Sequence, residues 1–447
     1  MSGPVHVLVG VFAVIVVALA IAVWLISGSE PMAFSEGPKV SLADYKGVNP
    51  TGVPAELAQA SLIERGAYLA KAADCIACHT ADAGKGYAGG LGFKLPFGTL
   101  YSTNITPDND TGIGKYNDQD FLNALHRGVR RDGSRLYPAM PYTSYTYISD
   151  EDALAIKAYL FSLPPVRATT PANTLVFPFN QRWLMTFWSA LFNPDARFKP
   201  DSSKSPEWNR GAYLVEALAH CGECHTPRNF VFGLNNRQKF AGALTAGWRA
   251  FNISGDKVTG LGAWHDDELT AYLSTGHAAG HGTASGPMGE AVDYSFSHIT
   301  PEDIRAIVTY LRSVPAVRST DLPTTMALSA PASHKDGGTA DARGKRVFEG
   351  ACVSCHGWAG ESPVSHFATL TGARAVNDPG GINVAQIVIS GTRRRTPDGV
   401  LSMPAFGNAY TDDEIAAVAN YVTARFGSRG SKLTAQDVVE LRKQRPD

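Results

Sequence analysis

The sequence predicts an all-α chain of three tandem helical modules behind an N-terminal transmembrane helix, and three observations carry that prediction. The 447-residue chain opens with an uncharged apolar run, Val7 to Ile26. All six cysteines fall in three copies of one short pattern, C-x-x-C-H. One helical signature precedes each copy and another follows it. A chain of this length is expected to hold about three domains.

Residues 1–30 come first. About 20 apolar residues span a bilayer core, and Val7 to Ile26 has that length. A signal peptide would have a shorter apolar region behind a basic segment, whereas no Lys or Arg precedes this run. Ala18-Leu19-Ala20 imitates a cleavage motif but lies in mid-run, and Trp24 sits where an interfacial anchor belongs. Basic and acidic residues nearly cancel, 40 against 41, so charge gives no argument for nucleic acid, which is set aside.

The cysteine pattern carries the chemistry. "CIACH" at 75, "CGECH" at 221 and "CVSCH" at 352 each stand alone, far from a second half-site that zinc would need. On a helical turn, residues three and four apart share a face. Two thiols can then reach the two vinyl groups of a haem while the next residue, His, faces the iron. Covalent haem c is therefore expected on Cys75/Cys78, Cys221/Cys224 and Cys352/Cys355, with His79, His225 and His356 as iron ligands. No cysteine is left over for a disulfide, and attachment outside the cytoplasm is the expectation for proteins that carry such a cofactor.

Each motif begins a repeat. "RGAYLAKAADCIACHT" at 65 returns as "RGAYLVEALAHCGECHT" at 210 and, degraded, as "RGKRVFEGACVSCHG" at 343. The modules close on "ISDEDALAIKAYLFSLPPV" at 148, "ITPEDIRAIVTYLRSVPAV" at 299 and "YTDDEIAAVANYVTARFGS" at 410. A Ser or Thr, acidic residues in the next turn and apolar positions at helical spacing read as a capped amphipathic helix. The modules span 61–167, 205–317 and 343–428. Their opening and closing helices resemble those of small class I cytochromes c, which cross beside the haem, and this resemblance puts Tyr159, Tyr310 and Tyr421 at the crossing as packing residues.

Between motif and closing helix, each module has a short apolar helix ending in Gly, "FLNALHRG", "ELTAYLSTG" and "VAQIVISG", then a loop with one methionine. Met140 in "YPAMPY", Met288 in "SGPMGE" and Met403 in "LSMPAF" each stand near Pro, which stiffens the chain. Packing alone does not put a methionine at the same place in three repeats, so these three are expected as second axial ligands. His/Met ligation leaves the iron no open position, which favours electron exchange over oxygen or peroxide chemistry. Met32, Met185 and Met326 read as ordinary contacts. His126, His220, His265, His277, His281, His298, His334 and His366 could compete, but none recurs across the modules. The basic runs Arg130-Arg131 and Arg393-Arg394-Arg395 read as solvated surface, with docking or a haem propionate as the alternative.

The connecting segments differ. Residues 168–204 hold the aromatic-rich "LVFPFNQRWLMTFWSALF" at 175–192, which suits either an interface between the first two modules or a membrane-surface quinone pocket. Residues 318–342 form a Pro/Ser/Thr/Ala linker and 429–447 a short polar tail.

From about residue 61 to 428 the chain resembles the three-haem cytochrome c subunits of bacterial membrane-bound alcohol, aldehyde, gluconate and fructose dehydrogenases. "FGTLYSTNITPDNDTGIGKY" at 97, "LYPAMPYTSY" at 136 and "FPFNQRW" at 177 carry the likeness beside the haem and methionine residues. The resemblance implies a separate substrate-oxidising subunit as partner, ubiquinone as acceptor and residence on the periplasmic side of the bacterial inner membrane. The long N-terminal helix favours a molybdenum and iron-sulfur aldehyde dehydrogenase as that partner, ahead of a quinoprotein alcohol or a gluconate dehydrogenase. A self-sufficient haem enzyme would need an open iron, against which three methionines speak.

Overall fold

The computed structural model describes residues 37–81, 84–319, 342–396 and 399–444, together with Val17. Apart from Val17, the apolar run 7–26 lies outside the described residues, as do most of the linker 318–342, Met32, Met326 and His334. Two corrections to the expected fold follow. Among the described residues no helix is long and apolar enough to cross a membrane. The described chain is also not all-α: four two-stranded antiparallel hairpins accompany the helices.

Each module is built around two crossed helices, Leu62–Ala72 with Asp150–Ser162, Pro206–Tyr213 with Pro301–Ser313, and Ala342–Ala351 with Asp412–Phe426. The closing helices start where Ser149, Thr300 and Thr411 accept a hydrogen bond from the backbone N–H three residues on. The acidic first turns complement the helix dipole. The crossings are close because a glycine opens each one. A Cβ at Gly66, Gly211 or Gly344 would collide with the carbonyl oxygen of Ala155, Ala306 or Ala417, and the Cβ atoms of Tyr159, Tyr310 and Tyr421 lie just beside it.

The first two modules exchange partners reciprocally. Tyr68 of the first opening helix donates to Asp303 of the second closing helix (2.6 Å), while Tyr213 of the second donates to Asp152 of the first (2.6 Å). The same two hydroxyls accept the backbone N–H groups of Thr300 and Ser149. Arg210 grips Asp303 with two bonds, 2.8 and 2.7 Å. One apolar core runs through both modules, from Leu69 and Ile156 to Leu214 and Ile307. In the third module Arg346 stands where the exchanging tyrosine would be. That module keeps a core of its own around Phe348, Ile389 and Ile415.

The polar tail is not loose. Ala435–Lys443 forms a helix that buries Val438 against the third core and clamps Arg442 onto Asp412 at 2.6 Å. The hairpins are brief. Gly92–Leu95 pairs with Gly98–Tyr101, Ala243–Thr245 with Trp248–Ala250, and Thr392–Thr396 with Gly399–Met403. In the second, Ala246 and Gly247 both take positive φ, 49° and 75°, as the tightest hairpin turns require.

Candidate functional site

The three C-x-x-C-H motifs fold as single helical turns, Cys75–Cys78, Gly222–His225 and Val353–His356. All six cysteines are unpaired, and burial pushes the thiols of Cys75 and Cys221 up to about 12. Surroundings that oppose a thiolate suit a thiol destined for a neutral thioether. Among the described residues no group of three or more His, Cys, Asp and Glu could hold a free metal ion.

The histidines share one device. Nδ1 of His79 lies 2.7 Å from the carbonyl oxygen of Thr103, Nδ1 of His225 lies 2.6 Å from that of Phe251, and Nδ1 of His356 lies 2.6 Å from that of Ala368. A carbonyl can only accept, so the proton sits on Nδ1 and Nε2 keeps its lone pair for iron. Burial pushes all three imidazoles down, His225 to about 4, which keeps them neutral. The residues therefore fit haem c: two thiols and an oriented imidazole, three times.

The accepting carbonyls were not expected from the sequence, although a repeat marks two of them. Asn104 and Asn252 follow Thr103 and Phe251 in "TNITPDNDTGIG" and "FNISGDKVTGLG". Each asparagine accepts from the N–H two residues on and donates to a distant carbonyl, Asn104 to Val166 and Asn252 to Val317, both at 2.7 Å. Asp108 and Asp256 then tie down Thr111 and Thr259. Among the described residues the third module shows no such knot, and Thr369 rather than an asparagine follows Ala368.

The methionines occupy three different local structures. Met140 precedes the short helix Tyr142–Tyr145, Met288 lies inside the helix Gly286–Tyr294, and Met403 ends a strand. Only Met140 is in the loop expected for all three. Pro287 suits the first turn of a helix and lets one begin there, and Met403 pairs with Thr392 at the end of the strand that holds the Arg393-Arg394-Arg395 run. All three side chains are half-buried against apolar core.

A cavity of about 1040 Å³ joins the second and third sites. His225 and Met288 line it, as do His356 and Met403. The first motif reaches it through Cys78 and Ala77, whereas Cys75, His79 and Met140 do not face it. The aromatic segment lines one end: Phe179, Leu184 and Trp188 face the cavity, and Trp188 Nε1 donates to Val231 at 2.9 Å. Its outer side is open, with Phe177, Trp183 and Phe187 between 60% and 76% exposed. The segment thus packs between the first two modules and also presents aromatics to the surface.

Crossed helices, thiol pairs on a helical turn and a carbonyl-oriented histidine define a cytochrome c. The cytochrome c family model matches residues 63–164 and 342–425. The chain is 38% identical over 421 residues to the fructose dehydrogenase cytochrome subunit of Gluconobacter japonicus, covering 89% of this chain and 86% of that protein. It is 38% identical over 402 residues to the gluconate 2-dehydrogenase cytochrome c subunit of Pantoea cypripedii, covering 86% and 90%. To the cytochrome c subunit of the quinone alcohol dehydrogenase of Gluconobacter oxydans it is 37% identical over 407 residues, covering 87% and 84%. The chain belongs to this family of dehydrogenase cytochrome c subunits, and it is the electron-transfer subunit of a dehydrogenase complex.

Proposed function

We propose that this chain carries three covalent haem c groups and passes electrons from a substrate-oxidising partner subunit to ubiquinone. The observation that supports this best is one constellation met three times: a cysteine pair, a histidine with Nδ1 committed to a backbone carbonyl, and a methionine after the short helix of each module. Bound haem supplies one-electron chemistry. The chain supplies thioether carbons, two axial donors per site and an apolar setting; a methionine ligand raises the potential. Substrate oxidation yields two electrons, and ubiquinone takes up two electrons and two protons to become ubiquinol, so the chain conducts twice per turnover.

The reading sets the modules on the periplasmic side of the bacterial inner membrane, because haem c is attached outside the cytoplasm. Substrate choice belongs to the partner, since relatives of this length carry the names of fructose, gluconate and alcohol dehydrogenases. The expectation of an aldehyde dehydrogenase draws on the apolar run 7–26, which apart from Val17 lies outside the described residues; co-purification of the native complex identifies the partner. The quinone contact is assigned to the aromatic segment, whose exposed Trp183 and Phe187 adjoin cavity-lining Leu184 and Trp188. In the assembled complex, Trp183→Ala with Phe187→Ala should depress reduction of a ubiquinone analogue and spare reduction of ferricyanide. Equal loss of both activities would make the segment structural, and no loss would put the quinone elsewhere.

A further inference from the structure

Two arginines of the third module reach into the second. Arg374 lies over the ring of Phe251, 4.7 Å from its centroid, and donates to the carbonyl oxygens of Asn252 (3.0 Å) and Thr259. Phe251 is the residue whose carbonyl orients His225. Arg394, centre of the basic run, is 3% exposed and donates to the carbonyl oxygen of Gly289 (2.7 Å), the residue after Met288, and to that of Thr275 (3.0 Å). Gly276, at φ +76°, leaves room for this guanidinium, since a Cβ there would strike it. Both arginines line the cavity. The expected solvated surface is thus wrong for Arg394, and the two side chains flank the second site from its histidine side and its methionine side.

We infer that the third module completes the second iron site, with Arg374 as a positioning residue that raises the second haem's reduction potential and Arg394 as the clasp that holds the Met288 segment. The charges differ in compensation. Arg394 has Asp293 at 3.2 Å, whereas the Arg374 contacts among the described residues are carbonyls and a ring, and Asp378, the carboxylate whose charge acts on it, also lies 3.0 Å from Arg249. Losing an electron makes an iron site more positive, so a buried cation nearby that shares its counter-charge with Arg249 opposes oxidation. Burial itself holds the Arg374 guanidinium down at about 10, which leaves it cationic at neutral pH.

The inference rests on His225/Met288 ligation, and the test separates the two. Met288→His assigns the second potential in a spectroelectrochemical titration of the full chain. Absence of any shift in that variant would end the ligation reading instead. Arg374→Gln should lower the second potential and leave the first unchanged, while Arg374→Lys, which keeps the charge, should restore most of it. Arg394→Gln should weaken the methionine-to-iron near-infrared band of one haem only. An Arg374→Gln protein with all haems retained and an unmoved second potential would overturn the inference. If Arg374→Gln fails to fold, Arg374→Lys and Arg394→Gln decide: a wild-type band in Arg394→Gln, or a second potential in Arg374→Lys as low as a neutral site would give, would equally overturn it.

Discussion

At the scale of single residues, ligation is decided by lone pairs. Each histidine presents Nε2 because a carbonyl takes the Nδ1 proton, and each methionine stands half-buried against the core. Met140→His should therefore lower one haem potential and remove about a third of the near-infrared charge-transfer absorption; three unmoved potentials would exclude Met140 as a ligand. His126 offers a separate test. Its ring is buried, and desolvation, aided by the Arg197 charge, pushes it from 6.5 to about 4. A folded-state value below the unfolded one gives stability that is full above pH 6.5 and is lost as pH falls toward 4, at most about 3 kcal/mol. Melting curves at pH 7.5 and 4.5 should converge less for wild type than for His126→Asn, which has no such proton to take up. The cysteines, histidines and methionines expected as ligands stand out in the sequence because haem attachment and ligation would fix their spacing. Thr103, Phe251 and Ala368 do not, because they act through backbone oxygens that every residue possesses.

At the scale of elements, the helix crossings and the exchanged tyrosines hold the haem motifs in place. Gly211→Ala would set a methyl group against the Ala306 carbonyl in a packed crossing, and overpacking of that kind costs about 1–3 kcal/mol. The variant should melt earlier and lose haem from the second module first. Tyr213→Phe takes one donor from Asp152 in a buried setting, a loss worth about 1–3 kcal/mol, and Tyr68→Phe should cost a similar amount by the reciprocal contact. Denaturant melts check both, and a neutral effect would show that the exchange adds nothing. The crossed helices could be read from their caps and their 3.6-residue apolar period. The hairpins could not, because strands of two to five residues are too short to show alternation, and only turns such as Ala246-Gly247 hint at them.

At the scale of the whole molecule, two modules share a core and the third, with its own core, is joined to them by polar contacts. Asn383 exchanges hydrogen bonds with the backbone of Arg249, Gln386 donates to Gly247, and Arg374 and Arg394 reach the second site. The sequence announced three modules but not this asymmetry, which depends on Tyr68 and Tyr213 finding partners more than 200 and 60 residues away. One cavity connects the second and third sites, with Cys78 of the first at its wall, and under the proposed function haems held around it would give electrons a route through the chain. That route exists only if every motif is loaded. The most direct test is a pyridine haemochrome count on mature protein of known concentration: the account predicts three haem c per chain, and a count of two or fewer would contradict it.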